Sequence, residues 1–171
     1  MITFVTGSRN RGKSSYLRDW YLQQPEGTAL FSLKRFVKGE HTGYDLLLEP
    51  GGILRTLCSL RETASLSDGN GRDEKGSVCG KYIFDDSVFE EAYRFVLKAT
   101  NNNPQKIIWL DEVGNLELQK KGFYPIIRLA ESLNFELRIG IRSSCLVQFI
   151  NMSPDWDFRI INLDLNRPSF P

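Results

Sequence analysis

Histidine is nearly missing from this 171-residue chain, where His41 stands alone. Chemistry that turns on a histidine base, or a metal site built from several histidines, is therefore disfavoured. Cysteine is scarce too. Cys58, Cys79 and Cys145 are odd in number and lack the paired spacing of a zinc site. They read as reduced thiols in a cytoplasmic protein, not as a disulfide framework. No apolar run approaches the ~20 residues of a membrane span. The amino terminus enters a strand at once, without the pattern of a signal peptide. Neither sign of charge dominates: 22 Lys and Arg face 21 Asp and Glu, for a net charge of +1. Bulk charge thus gives no reason to expect a nucleic-acid or membrane partner. Trp20, Trp109 and Trp156 do not interleave with a basic cluster, and Trp109 reads as core. No repeat or change of composition divides the chain, so residues 1–171 are expected to form one domain, and a monomer.

What is present begins with Gly7-Ser8-Arg9-Asn10-Arg11-Gly12-Lys13-Ser14, two glycines spaced to be followed by Lys and a hydroxyl. Ile2 to Thr6 before it is a short β-branched run, hence a buried strand. Tyr16, Leu17, Trp20 and Tyr21 after it recur at helical spacing. A strand, a curled glycine loop and a helix start make an anion site. The glycines let the main chain approach a ligand closely, and the amides and helix dipole face it. Residues Gly7 to Ser15 are therefore candidates to hold a polyphosphate. Lys13 would reach the β- and γ-phosphates, and the Ser14 hydroxyl would ligate Mg²⁺.

The first helix is expected to stop at Pro25. A strand over Ala29 to Ser32 and another over Tyr44 to Leu48 flank a basic turn from Lys34 to Glu40, an antiparallel hairpin. Leu54 to Leu60 reads as either strand or helix. Ser65 to Val78 is rich in Gly, Ser, Asp and Asn, a loop that is either a surface excursion or a cover for the phosphates. Ser87 with Glu90 has the form of a capping box for a helix bearing Phe89, Ala92, Tyr93, Val96 and Leu97 on one face.

Lys106 to Glu112 is an apolar strand ending in two acids. Its composition fits a strand buried on both faces, and Asp111 would sit at the carboxyl end, where open α/β sheets bind ligands. Asp111 is the candidate to organise Mg²⁺ opposite Ser14, and Glu112 the candidate to orient or deprotonate a water. A helix around Tyr124 to Leu133, a strand over Leu137 to Ile141, a helix around Leu146 to Ile150 and a strand over Phe158 to Leu163 complete the chain. Alternation of strands and helices implies an α/β fold in three layers: a mostly parallel central sheet flanked by helices, with one added antiparallel hairpin. Arg142 falls at a strand end near the expected phosphates. It is the first candidate for the cation that offsets developing charge, ahead of Arg55 and Arg11.

Together these segments resemble the small nucleoside-triphosphatases of thermophilic prokaryotes and animals, the group that includes cancer-related nucleoside-triphosphatase. The likeness rests on the phosphate loop, Gly43-Tyr44-Asp45, Gly80-Lys81-Tyr82 with Phe89, Asn166-Arg167, and above all Asp111-Glu112-Val113-Gly114-Asn115-Leu116-Glu117-Leu118. It implies a P-loop fold with a RecA-like core and Mg²⁺-dependent hydrolysis of nucleoside triphosphates with loose base preference. The chain departs from the pattern at Asn115, where Lys is usual, at Arg9 and Arg11 in the loop, and at Leu33, Lys34, Glu40 and His41 in the hairpin. Two other readings stand beside hydrolysis: a kinase that moves the γ-phosphate to a small acceptor, and a binding module that reports nucleotide state.

Overall fold

The computed structural model describes residues 1–61, 76–102, 106–152 and 155–165. Most of the 65–78 loop and the Asn166-Arg167 pair lie outside the described residues. The strands are β1 (Ile2–Thr6), β2 (Thr28–Val37), β3 (Glu40–Glu49), β4 (Ile53–Leu60), β5 (Ser77–Cys79), β6 (Tyr82–Phe84), β7 (Ile107–Val113), β8 (Glu136–Ile141) and β9 (Phe158–Asn162). The helices are α1 (Lys13–Gln23), α2 (Asp86–Asn102), α3 (Asn115–Leu118), α4 (Tyr124–Ser132) and α5 (Ser143–Met152). The nine strands among the described residues form one sheet in the order β5-β6-β4-β3-β2-β7-β8-β1-β9.

The sheet has two halves. From β2 to β9 every pairing is parallel. From β2 to β5 every pairing is antiparallel. In the parallel half, alternate residues serve opposite faces. Phe4, Leu30, Ile108 and Leu110 join one cluster, with Ala92 and Val96 of α2, Ile127 of α4 and Phe149 of α5. Val5, Ala29, Phe31 and Trp109 join the other, with Tyr16, Leu17, Trp20 and Tyr21 of α1. This two-residue period explains why β1 and β7 read as continuous apolar runs: both faces are covered. Arg138 of β8 is buried between the rings of Trp20 and Trp109, 4.3 and 4.4 Å from their centres, and its Nε donates to Glu136 at 2.7 Å.

The antiparallel half is larger than one hairpin. β2 and β3 continue through the basic turn to Val37 and Glu40, and β4, β6 and β5 extend the wing. Leu54 to Leu60 proves to be strand. Ser77 and Val78, read as loop from their neighbours' polarity, pair with β6. The capping box expected at Ser87 does not form. The helix begins at Asp86, two residues before a Ser87 cap would start it, and both the amide and hydroxyl of Ser87 donate to the Asp85 carboxylate, at 3.0 and 2.6 Å.

The wing is pinned at Gly43-Tyr44-Asp45. Asp45 accepts from Arg35 at 3.0 Å, and the same guanidinium donates to the Cys58 carbonyl and the Ser59 hydroxyl. Gly43 permits this closeness. A Cβ there would lie 2.1 Å from the Cys58 carbonyl oxygen and 3.0 Å from the Arg35 guanidinium, at a φ of +156°. Gly43→Ala is expected to destabilise the fold by roughly 3 kcal/mol through overpacking and backbone strain. For a chain of this size that lowers the unfolding midpoint by roughly 10 °C. Thermal unfolding followed by circular dichroism measures it; an unchanged midpoint would mean the wing relaxes freely.

Candidate active site

The loop after β1 is curled by residues in left-handed conformations, Asn10 at φ 64° and Gly12 at φ 80°. Lys13 then opens α1. Its ammonium turns back to donate to the carbonyls of Gly7 and Ser8, both at 2.9 Å. Those contacts keep it inside the loop's mouth. A residue from the far end of the chain braces the loop from outside. Asp164, just past β9, accepts from the Ser8 amide at 2.8 Å, the Ser8 hydroxyl at 2.9 Å and Arg11 Nε at 3.0 Å. These donors hold the Asp164 carboxyl below its ordinary range. Asp164 was not expected from sequence, because only the tertiary closeness of β9 to β1 gives it a role.

Across the cleft, β7 breaks its own pairing. The register with β8 shifts between Leu110 and Val113, and Glu112 takes a φ of 62°. In a regular strand Asp111 and Glu112 would point to opposite faces. The bulge and the left-handed residue let both line one cleft. A non-glycine residue held there is strained, a recurrent sign of a working site.

The two halves of the site meet directly. The Ser14 hydroxyl donates to Asp111 Oδ1 at 3.0 Å, joining residues 97 apart in sequence. Asp111 Oδ2 is buried, and among the described residues no donor meets it in good hydrogen-bond geometry, the nearby amides of Ser32 and Glu112 included. Burial first, then the charge of Glu112, push the Asp111 carboxyl up to about 7, while Ser14 and the nearby amides of Ser32 and Glu112 pull it back. The neighbouring strand makes room: a Cβ on Gly140 of β8 would lie 2.9 Å from Asp111 Oδ1. A buried carboxylate with an orphaned oxygen, a hydroxyl beside it and no side chain opposite fit a small divalent cation. Among the described residues no group of three His, Cys, Asp or Glu side chains could hold a metal.

Asp111 also sets a pH dependence. Its folded value lies above its unfolded one, so between about pH 4 and pH 7 the folded chain binds the extra proton. Cation-free stability therefore falls as pH rises through that window and levels off above it. Burial raises Glu117 as well, with the same sign. Asp111→Asn is expected to remove its own part of the slope. Unfolding midpoints at pH 5 and pH 8 in chelator would read this, and an equally steep decline in the variant would count against it.

Glu117 organises the backbone behind Glu112. It is buried, accepts from the Gly114 amide at 2.8 Å and from the Phe123 amide at 3.0 Å, and so ties the acid-bearing bulge to the start of α4. Asn115, in turn, accepts from the buried Cys145 thiol at 3.3 Å.

The cleft has a volume of about 460 Å³ and brings together Gly7, Arg9, Asn10, Lys13, Ser14, Asp111, Glu112 and Arg142. Of the other loop residues, Ser8 and Arg11 are turned to Asp164, and neither Gly12 nor Ser15 lines the cleft. Arg142 lies with its guanidinium 3.9 Å from the Glu112 carboxylate, and more than half of its side chain is exposed. The two weaker cation candidates are otherwise engaged. Arg55 pairs with Glu91 of α2 at 2.7 Å and Arg11 with Asp164.

No protein-family profile and no curated protein sequence matches the chain. Solved structures do. THEP1 from the hyperthermophile Aquifex aeolicus superposes with a TM-score of 0.64 over 95% of this chain and 90% of its own, at 21% identity. A human cancer-related nucleoside triphosphatase superposes with the same TM-score over 94% and 87%, at 19% identity. The chain therefore has the P-loop nucleoside-triphosphatase fold, the fold of the group its motifs resemble. Among the described residues no helix is long and apolar enough to cross a membrane.

Proposed function

We propose that the protein is a Mg²⁺-dependent hydrolase of nucleoside 5′-triphosphates, releasing diphosphate and phosphate with loose base preference, and that it works as a cytoplasmic monomer. The observation that carries this reading is the Ser14–Asp111 contact with its unpartnered second carboxylate oxygen. A buried carboxylate oxygen left open costs stability unless something fills it, and a cation held by Ser14 and Asp111 would do so.

The amides of the loop and the Lys13 ammonium hold the polyphosphate, with Lys13 exchanging the Gly7 and Ser8 carbonyls for phosphate oxygens. Ser14 and Asp111 would hold Mg²⁺, which supplies charge neutralisation at the β- and γ-oxygens. Glu112, carried into the cleft by the bulge, orients a water on the γ-phosphorus and takes its proton. Arg142 approaches from the next strand end to meet the charge that builds on the leaving oxygens.

Phosphate release from ATP, GTP, CTP and UTP, each with and without Mg²⁺, tests the reading. Release from all four that stops in chelator is expected. Turnover below roughly 10⁻⁴ s⁻¹, slower than an unassisted small GTPase, would instead make the protein a nucleotide-dependent binding module.

A further inference from the structure

We infer that the cleft holds a second subsite, on the side of Glu112 away from the phosphate loop, for a hydroxyl-bearing ring compound with an anionic group, which accepts the γ-phosphoryl in place of water. The inference rests on the triphosphate reading above.

The sheet order carries it. β7, with Asp111 and Glu112, stands between the strands that bear the loop and Arg142 (β1 and β8) and the antiparallel wing. On the triphosphate reading, a γ-phosphate addressed by these two acids would lie toward the wing, which leaves the side of β1 and β9 for the nucleoside. Hydrolysis needs room for one water beyond Glu112. The cleft continues much farther, to Lys34 on β2, Tyr44 on β3 and Lys81 and Tyr82 at the start of β6. At strand spacings of ~4.8 Å, β3 lies ~10 Å from β7.

The chemistry of this extension is specific. Tyr44 and Tyr82 meet edge to face with ring centres 5.5 Å apart. A smaller cavity of about 50 Å³ runs on between these rings and Phe84, Phe89 and Phe123, and Glu112 and Arg142 also line it. Half-buried rings bordering a cavity are a surface for a flat apolar body. Lys34 and Lys81 are exposed, and neither has an ion pair among the described residues. They suit a negative group on the acceptor. Glu112 settles which end reacts: its carboxylate repels an anionic attacking atom but can take a proton from a hydroxyl.

In the step, the acceptor oxygen forms a bond to the γ-phosphorus and the bond from that phosphorus to the β–γ bridging oxygen breaks. The electron pair stays on the nucleoside diphosphate, and the hydroxyl proton passes to Glu112 and then to solvent. The products are a phosphate monoester, the diphosphate and a proton.

The probes are the four ribonucleosides and their 3′-monophosphates, incubated with the full chain, γ-labelled ATP and Mg²⁺. Labelled monoester is expected, with the 3′-monophosphates better than the nucleosides. Lys81→Ala should erase that advantage, and Tyr82→Ala should lower acceptor kcat/KM on the order of tenfold, as removal of a stacking ring does. A second arm needs no turnover: saturation-transfer NMR of adenosine 3′-monophosphate with the chain loaded with a non-hydrolysable ATP analogue. Contact is expected and should fade in Tyr82→Ala. Phosphate release without labelled monoester, or no NMR contact, overturns the subsite. So does a rise in the KM for ATP in Tyr82→Ala with no acceptor effect, which would mean that the wall holds the donor's own nucleoside. Absence of phosphate release from every triphosphate would instead count against the hydrolase reading, and the NMR arm would still decide the subsite.

Discussion

Glu112→Gln is expected to cut phosphate release by roughly 10²–10⁴, the range a positioned general base supplies, with triphosphate binding kept or tightened. The substitution preserves shape and removes one negative charge. Binding survives because Glu112 holds nothing in place: its nearest cation, Arg142, is 3.9 Å away and mostly in solvent. Binding can improve because a carboxylate facing the γ-phosphate repels it. One further consequence is specific to this site. The charge of Glu112 helps push Asp111 up, so its loss should let Asp111 ionise at lower pH. Mg²⁺-dependent binding should then persist to more acidic pH than in the parent chain. Single-turnover phosphate release gives the rate, and a fluorescent triphosphate analogue gives the affinity across pH. Release within a factor of a few of the parent would remove Glu112 from the chemistry, whatever its position in the cleft.

Much of this was legible in the sequence, for reasons that can be located. The loop from Gly7 to Ser14 stands out because its glycines, Lys13 and Ser14 are local in the chain, and the strand before it and the helix after it form where their periodicity puts them. β7 announces itself because burial on both faces demands an uninterrupted apolar run. Contacts between distant segments left no such trace. Asp164 looks like any exposed acid until β9 sets it against the Ser8 amide. Arg35, Asp45 and Gly43 read as a polar hairpin, and only the pairing with β4 brings the Cys58 carbonyl against them. The wing exceeds the one hairpin the sequence suggests because β5 and β6 have only three residues each and glycines separate its strands. That composition is shared by loops, and Ser77 becomes strand only through pairing with Phe84. The motif Asp111-Glu112 gave two acids. That both could face one cleft follows from the bulge, which single-strand alternation does not predict.

Gly140 is the residue whose importance sequence reading missed most completely, and it makes the sharpest test of the metal site. In the chain it is an unremarked glycine within an apolar strand. In the fold it lies on β8, between the strand that feeds the loop and the strand that carries the acids. Its φ is not in the left-handed region, so alanine is compatible with the backbone. The difficulty is space alone: the added carbon would sit 2.9 Å from Asp111 Oδ1 and 3.5 Å from the Glu112 amide. Both atoms belong to the site, and the backbone around the bulge is tied down by Glu117. The carboxylate is the softer partner and should swing, breaking its 3.0 Å contact with Ser14. Gly140→Ala is therefore expected to raise the Mg²⁺ concentration needed for half-maximal phosphate release by about 10–100-fold, as loss of metal-orienting contacts does elsewhere. The fold should lose only about 1–3 kcal/mol to overpacking, so the chain stays folded at assay temperature. A Mg²⁺ titration of phosphate release, run beside a thermal unfolding curve, separates the two effects. A variant that unfolds early but titrates like the parent would mean that Asp111 reaches its cation from a position this geometry does not require. A variant that folds normally and needs far more Mg²⁺ would tie the metal to the pocket between Ser14, Asp111 and the bare face of Gly140.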